Sequence, residues 1–449
     1  MRVLIQLRPP TEIVDAVISA EAAPAVTDIA PELPGVALDP TFPPVPVPRP
    51  LAPGGGHPVS LDQPTVFSWE PAQAGVLVRG EIADDELSSR VALLLSSRPD
   101  VVGVFADPVI ETCLTCGDSP AVGTWKDVGN ELRGATLAEA GYTGAGVALA
   151  IVDTGINLAH LEKQLGQAPA LDASRSWTPA GVTTEPGAHP VNHGTMTAFD
   201  ALIAAPQSTL LDVAVLLSER QGETVMEGLL SDAVAAYAYL RTVLDAMPAE
   251  QRTLVISNSW GAFSPKWDFP PGHPGNYSDN KAHPFNVIVA SLEQAGADII
   301  FAAGNCGRDC PDARCEYPSL PIGGANSHPQ VLSVGGVDVT GERVGYSSQG
   351  PGRLADRKPD LCAYTHFDGS KVFEGHPDSG TSAACPVAAG VVAAVRTTVP
   401  ATQLTPEQLR TLLQRTVDDR STVGFDYDYG YGVIHVEGVL GALERRQKQ

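Results

Sequence analysis

The feature that most constrains this chain is a serine placed between a glycine turn and an apolar run. Residues 380–386 read Gly-Thr-Ser-Ala-Ala-Cys-Pro, and the apolar run 387–395 follows directly. A helix that is apolar on all sides has to be buried. The chain therefore needs a core large enough to surround this helix, and Ser382 stands at the start of the helix.

Ser382 could act as a nucleophile only if a base took its proton, because a serine hydroxyl is weak at neutral pH. The candidate base is His193, in Asn-His-Gly-Thr, and Asp153, after the apolar stretch 147–152, is the candidate group to orient it. The order Asp, His, Ser is that of subtilisin, not of chymotrypsin or the α/β-hydrolases. The α/β-hydrolase turn also needs glycine where this chain has Ala384, so that class is disfavoured.

A fourth motif, Phe-Ala-Ala-Gly-Asn at residues 301–305, is a short apolar stretch that ends in a side-chain amide. The Asn305 amide could donate to a developing oxyanion, and losing one such donor lowers a rate about 10²–10³-fold. Taken singly, Asp-Thr-Gly is most often a turn and Gly-Thr-Ser a helix cap. In this order, the four motifs resemble those of the subtilisin-like serine proteases, over about residues 125–440.

The resemblance implies a role for each residue of the four motifs. Ser382 would attack the scissile carbonyl, and His193 would take and later return its proton. Asp153 would fix the imidazole tautomer, and Asn305 would bind the oxyanion together with the backbone N–H of Ser382. The chain is thus expected to be a serine endopeptidase whose substrate is a polypeptide.

A further segment, Ser-Asn-Ser-Trp-Gly at residues 257–261, resembles the family segment that pairs with an extended substrate. In the family, this segment also forms one wall of the enzyme's specificity pocket. An added substrate strand gains affinity from backbone hydrogen bonds, and pockets then select side chains. Trp260 is expected to line such a pocket, with ordinary core packing as the alternative. The implied substrate-binding residues are Ser259, Trp260, Gly261, Ala303 and Gly304.

The region 125–449 alternates apolar strands with helices, a pattern that indicates a parallel sheet covered on both faces. The fold class predicted is α/β, a subtilisin-like parallel sheet flanked by helices. The strands are predicted at 147–152, 209–217, 254–257, 299–303 and 331–334, and helices at 227–244 and 284–295.

The sequence pattern of residues 1–112 predicts a separate, small α+β domain of ferredoxin-like type, followed by a linker at 113–124. Its strands are expected at 3–7, 75–79 and 101–105, and its helix at 84–97. A Pro/Gly-rich insertion at about 31–64 is expected to be an exposed, mobile loop.

The pattern and position of this domain resemble a subtilisin-type propeptide. The resemblance implies an intramolecular inhibitor or folding chaperone, removed by a cut between Val109 and Thr124. An accessory domain without an inhibitory role is the alternative.

The chain carries 29 basic and 52 acidic residues, a net charge of −23 that argues against nucleic acid or an anionic membrane as a partner. Its first ten residues form too short an apolar run for a secretory signal, and no later stretch could span a bilayer. The chain as given predicts a cytoplasmic protein, with export by another route left open.

Seven cysteines leave at least one thiol unpaired in a monomer. Cys306, Cys310 and Cys315, with or without Cys362, could form a zinc site or disulfides, although their spacing fits no standard zinc motif. Cys385 is expected to be a small buried packing residue. The proposed chemistry requires no cofactor, and no residue can be assigned to calcium, which is common in the family.

The sequence is therefore consistent with two functions. The first is a serine endopeptidase made as a zymogen. The alternative is a non-catalytic binding protein on the same fold, with its cleft filled by the N-terminal domain. All four catalytic residue types are present, which favours the enzyme.

Overall fold

The computed structural model describes residues 1–19, 24–30, 33–51, 61, 65–112, 115, 119–217, 226–317 and 319–448. The chain divides into two compact units, which are described separately. The first comprises Met1–Val109, Leu229–Thr242 and Ser264–Leu292, and the second comprises Ile110–Gly228, Val243–Phe263 and Glu293–Gln449.

The N-terminal part of the first unit begins with a strand and ends with a strand. Its elements are β1 (Arg2–Leu7), α1 (Thr11–Ser19), α2 (Val26–Ile29), β2 (Ala37–Leu38), β3 (Val45–Val47), β4 (Arg49–Leu51), β5 (Val66–Ser68), β6 (Gly75–Glu81), α3 (Leu87–Ser97) and β7 (Val101–Ala106).

Strand β1 lies between β6 and β7 and is antiparallel to both, while β2 and β3 pair with the other edge of β6. The order β1, α1, β3, β6, α3, β7 is the βαββαβ arrangement of ferredoxin-like folds. Apolar side chains of α1 and α3, such as Val14 and Leu94, join those of the sheet in one core. The predicted α+β content of this region is confirmed.

The predicted mobile loop at 31–64 is wrong for residues 42–47. Phe42, Val45 and Val47 are buried, and β3 pairs with β6. Pro46 is compatible with this strand because proline is tolerated at a sheet edge, where its missing N–H interrupts no ladder. Residues 31, 32, 52–60 and 62–64 of the predicted loop lie outside the described residues.

The remaining strands and helices follow in chain order. They are β8 (Val109–Thr112), α4 (Trp125–Glu131), α5 (Gly134–Glu139), β9 (Ala148–Asp153), α6 (Leu158–Leu165), α7 (His193–Leu202), β10 (Thr209–Ala214), β11 (Glu227–Leu229), α8 (Leu230–Ala246), β12 (Leu254–Asn258), β13 (Trp260–Gly261), α9 (Pro284–Gln294), β14 (Asp298–Ala302), β15 (Leu332–Val337), β16 (Leu361–Tyr364), α10 (Thr381–Arg396), α11 (Pro406–Arg415) and α12 (Val436–Gln447). Short 3₁₀ helices lie at Ala173–Arg175, Ala249–Gln251, Pro265–Trp267 and Gly324–Ser327.

A six-stranded parallel sheet in the order β10-β9-β12-β14-β15-β16 forms the centre of the second unit. Helix α10 is buried along its whole length and packs on β12, β14, β15 and on helix α7. The chain runs from β9 outward to β10 and returns to β12 on the other side of β9. Ligands of such sheets bind at this reversal, beyond the carboxyl ends of the strands. The predicted α/β class is confirmed.

One predicted boundary is wrong. Residues 227–229 were expected to begin a helix, but they form β11 and pair in a three-stranded sheet with β8, and α8 begins at Leu230. A strand partner from elsewhere in the chain overrides the local helical preference here. In the part of the chain that the structure describes, no helix is long and apolar enough to cross a membrane.

Candidate active site

Asp153 and His193 form a buried hydrogen-bonded pair at the carboxyl end of β9. Nδ1 of His193 lies 2.9 Å from Oδ1 and 3.0 Å from Oδ2 of Asp153, so the Nδ1–H donates to the carboxylate. The Thr154 N–H also donates to Oδ1 of Asp153, at 2.7 Å, and the Thr154 hydroxyl accepts from Gly194 N–H. These contacts hold the end of β9 against the start of α7. Nε2 is the nitrogen of the His193 ring that does not contact Asp153.

Ser382 lies in the first turn of α10, where the backbone N–H groups have no partner within the helix. Its hydroxyl donates to the Ser259 carbonyl at 3.3 Å. Nε2 of His193 is buried and has no hydrogen-bond partner among the described residues. The structure thus brings Asp153 and His193 together and leaves the bond between His193 and Ser382 unmade.

A proline inside α10 connects this helix to the segment that precedes β13. Pro386 has no N–H, so the carbonyl four residues earlier, that of Ser382, receives no helical hydrogen bond. The Ser259 hydroxyl donates to that carbonyl instead, at 2.9 Å. Ser259 and Ser382 are therefore joined by two hydrogen bonds, one in each direction.

Asn305 is fully buried and its amide orientation is set by Thr381. Oδ1 of Asn305 accepts from the Thr381 N–H at 2.8 Å and from the Thr381 hydroxyl at 3.0 Å. The same hydroxyl accepts from the Gly304 N–H at 3.0 Å. Because Oδ1 is engaged on the side of Thr381, Nδ2 is directed towards Gly380 and the start of α10.

The predicted substrate segment takes part in a three-stranded sheet of order β11-β8-β13. Strand β8 is antiparallel to β13, with Thr112 opposite Trp260 and Glu111 opposite Gly261. The Trp260 side chain is fully buried and packs edge-on against Phe301, 5.2 Å between ring centroids. The structure therefore places the backbone of β13 beside an extended strand and the Trp260 ring in the core.

The chain between Asn305 and Cys315 forms a cross-linked loop. A disulfide joins Cys306 to Cys315, and the Asp312 N–H donates to the Asn305 carbonyl at 2.8 Å. Cys310 is disulfide-bonded as well, whereas Cys362 and Cys385 are buried free thiols. Of the predicted alternatives, disulfides are the one observed. Burial raises the pKa of Cys385 to about 11, as expected for a packing residue.

Two buried carboxyl groups belong to the segments that carry His193 and Ser382. Asp200 is on α7, and Asp378 precedes Gly380. Burial and the neighbouring Asp378 raise the pKa of Asp200 well above its usual range. Burial also raises the pKa of Asp378 to about 6, although it accepts from the N–H and hydroxyl of Ser370. Neither carboxyl oxygen of Asp200 has a hydrogen-bond partner among the described residues, so burial acts on this carboxyl without compensation.

Other residues of the site were missed by the sequence analysis. Asn326 donates from Nδ2 to the carbonyls of Trp260 and Ala302, both at 2.8 Å, and so joins β13 to β14. Thr381 lies inside the recognised Gly-Thr-Ser motif, which could have indicated it. No sequence signal indicated Asn326, because its partners lie more than 20 residues away.

Within the described residues, no group of three or more His, Cys, Asp or Glu could hold a metal ion. No step of the chemistry is assigned to calcium. The predicted linker 113–124 has five residues, 113, 114 and 116–118, outside the described part.

The family model for the Subtilase family matches residues 144–432. Subtilisin amylosacchariticus from Bacillus subtilis subsp. amylosacchariticus is 25% identical over 308 residues, 69% of this chain and 69% of that protein. Fervidolysin from Fervidobacterium pennivorans is 26% identical over 327 residues, 66% of this chain and 41% of fervidolysin. Proprotein convertase subtilisin/kexin type 7 from Homo sapiens is 27% identical over 285 residues, 59% of this chain and 32% of that protein.

The matched range contains the parallel sheet, the Asp153–His193 pair, Asn305 and Ser382. The chain belongs to the subtilase family and is a serine endopeptidase.

Proposed function

We propose that this chain hydrolyses peptide bonds with Ser382 as nucleophile, His193 as general base and acid, and Asp153 as the group that orients His193. The observation that carries the proposal is the buried Nδ1–carboxylate bond between His193 and Asp153. With its proton at Nδ1, the imidazole presents an unprotonated Nε2, which is the form that can accept a proton from serine.

The reaction begins when Ser382 Oγ attacks the scissile carbonyl and His193 Nε2 takes its proton. Asp153 stabilises the imidazolium that forms and stays ionised. Collapse of the tetrahedral intermediate breaks the C–N bond, and His193 returns the proton to the leaving amine. Water then hydrolyses the acyl-enzyme by the same steps, and the proposal requires no cofactor.

Asn305 and the Ser382 N–H serve as the oxyanion donors. The orientation set by Thr381 supports this role because it turns Nδ2, and not Oδ1, towards Gly380 at the start of α10. Preorganised donors need no rearrangement when charge develops on the oxygen.

The proposed reaction requires the Ser382 hydroxyl to change its hydrogen-bond partner. Ser382 Oγ donates to the Ser259 carbonyl in this structure, and turning about its Cα–Cβ bond would direct it to Nε2 of His193. Hydrogen bonds between nucleophile and base often tighten only when substrate is bound. The unpartnered Nε2 atom supports this reading.

A polypeptide substrate would lie between β11 and β13 as an added strand, with Ser259, Trp260 and Gly261 along one edge. Ala303 and Gly304 would line the pocket for the side chain at the scissile bond. The position of β8 supports this mode of binding, because an extended segment already pairs with Trp260 and Gly261 there.

We also propose that the N-terminal domain is an intramolecular inhibitor and chaperone, so that the chain is a zymogen. The same β8 strand supports inhibition, since a substrate would have to replace it. Contacts within the first unit support the chaperone role, because Asp107 Oδ1 accepts from the Ser231 N–H at 2.7 Å in the first turn of α8. The predictions of a cytoplasmic protein and of no nucleic-acid or membrane partner stay predictions.

Intact mass spectrometry of the purified wild type and Ser382→Ala tests both parts. We expect the wild type alone to lose about the first quarter of the chain, by a cut between Val109 and Thr124. Cleavage in both proteins would exclude Ser382 as the agent.

The competing function, a non-catalytic binding protein, is favoured only by the β8 strand between β11 and β13. Labelling with a fluorophosphonate separates the two, because only an activated serine reacts. Labelling of the wild type and not of Ser382→Ala supports the protease, and two unlabelled but processed proteins would favour the binding protein.

A further inference from the structure

The register of β8 defines the position that each substrate residue would take. Thr112 is opposite Trp260 and Glu111 is opposite Gly261, so the next residue of such a strand would be opposite Ser259. Ser259 is hydrogen-bonded to Ser382 in both directions. In a substrate strand of this register, the residue opposite Ser259 would lie next to Ser382 and would be P1, so that Thr112 would model P2 and Glu111 would model P3.

Arg314 contacts the side chain of Glu111 and the backbone of Thr112 at the same time. Its Nη1 donates to Oε2 of Glu111, and its Nη2 donates to the Thr112 carbonyl at 2.6 Å. The Glu111 side chain is only 3% exposed. A guanidinium that makes two charge-assisted contacts to a nearly buried carboxylate and its neighbouring carbonyl is a selective arrangement.

The arginine is held in this position by its own loop. Nε and Nη2 of Arg314 donate to the buried carboxylate of Asp312, with Nη2 to Oδ2 at 2.9 Å. The Cys306–Cys315 disulfide closes the loop next to Arg314. A side chain fixed in advance loses little conformational entropy when a ligand binds, so its contacts contribute more to affinity.

The charges around the site favour an acidic ligand only through Arg314. Asp312 and Glu227 are the acidic neighbours of Glu111, and they repel a negative charge there, while Arg314 attracts it. With a neutral or basic residue at P3, no carboxylate would be present there to pair with the Arg314 guanidinium. Removal of Arg314 would reverse the local preference.

We propose that Arg314 is a specificity-determining residue that selects polypeptides with an acidic side chain at P3. The inference rests on the proposed function and adds a substrate class to it. Arg314 contacts the substrate away from the scissile bond, so its effect falls mainly on KM.

The test uses the full chain after self-cleavage has run to completion, with three internally quenched peptides. The peptides have Ile at P4, Thr at P2 and mixed residues at P1, and differ only in Glu, Gln or Lys at P3. The wild type should cleave the Glu peptide with a kcat/KM at least about tenfold above that for the Lys peptide. Arg314→Gln should abolish this ratio by raising KM for the Glu peptide.

The Arg314→Glu variant should prefer the Lys peptide. A misfolded protein could not show such an inverted preference. Arg308→Gln is the matched control, since Arg308 is on the same loop and its side chain is 76% exposed. It should keep the wild-type ratio. Equal rates on the three peptides overturn the inference alone, while no hydrolysis of any peptide overturns the proposed function as well.

Discussion

Gly380 and Asn305 approach each other so closely that position 380 has no room for a side chain. A Cβ atom on Gly380 would lie 2.7 Å from Nδ2 of Asn305. Gly380 also has φ of 79°, in the left-handed region that glycine adopts without strain. The glycine of the Gly-Thr-Ser motif is therefore required both by the turn into α10 and by the amide beside it.

Gly380→Ala should lower kcat about 10²–10³-fold, because the new methyl group displaces the Asn305 amide from the oxyanion position. The measurement is the hydrolysis rate of a peptide substrate. Gly375→Ala is the matched control, since Gly375 has φ of 78° and nothing within 4 Å of its Cβ position. It carries the same backbone strain, and equal losses in the two variants would contradict the role given to Asn305.

Asp153→Asn should reduce kcat at neutral pH by about 10⁴-fold while leaving the fold intact. An amide can donate to Nδ1 of His193, which would put the imidazole proton on Nε2 and prevent it from accepting the Ser382 proton. The rate is compared with that of Ser382→Ala, and circular dichroism checks the fold. A loss of less than tenfold would mean that Asp153 does not set the tautomer.

Asp200→Asn should weaken the pH dependence of stability. A carboxyl whose pKa is raised on folding stabilises the folded state below its unfolded pKa, and this stability is lost as pH rises through the folded pKa. For Asp378, a rise from 3.8 to about 6 corresponds to about 3 kcal/mol lost between pH 4 and pH 6 or above. Asn at position 200 removes the contribution of Asp200 to this pH dependence and leaves that of Asp378 in place.

Thermal unfolding of Ser382→Ala and of Ser382→Ala/Asp200→Asn, from pH 5 to pH 8, measures this effect. We expect the melting temperature to fall less steeply with rising pH in the double variant. Glu139→Gln, which alters an exposed carboxylate on α5, should leave the slope unchanged. Identical slopes in all three proteins would contradict a raised pKa of Asp200 in the folded state.

Replacing both Cys306 and Cys315 by serine should lower the free energy of unfolding by about 2–3 kcal/mol, from the chain-entropy model for a short loop. The residues are nine apart, so the cross-link closes a small loop. Urea unfolding in the Ser382→Ala background measures the loss. A wild-type chain that is equally stable with and without reductant would show that the cross-link contributes nothing.

Short motifs in the sequence were enough to select most residues of the candidate site. Asp153, His193, Asn305 and Ser382 each end a strand or begin a helix, so their sequence order, together with the apolar strands, indicated which sheet edge they share. The resemblance to a known family supplied their expected roles. Their approach to one another, however, depends on Thr381 and Pro386, whose effects are evident only in three dimensions.

The remaining features depend on partners that are distant in sequence. The Arg314–Glu111 pair joins residues 203 positions apart, and β11 exists because β8 pairs with it. The sequence does not indicate whether the Trp260 ring faces the substrate pocket or the core. In the structure the ring is fully buried. In a parallel α/β protein both faces of a strand can be apolar, so the pattern does not distinguish pocket from core.

Strand β8, in the substrate position that we propose for it, belongs to the same chain as the cleft. A tethered segment competes at an effective concentration of about millimolar, set by its linker, whatever the amount of protein in solution. A peptide present at about micromolar levels would therefore rarely displace it, however well its P3 residue suited Arg314. Once the chain is cut after β8, the same segment becomes a separate, dilutable competitor, and simple dilution of the enzyme should then increase its activity.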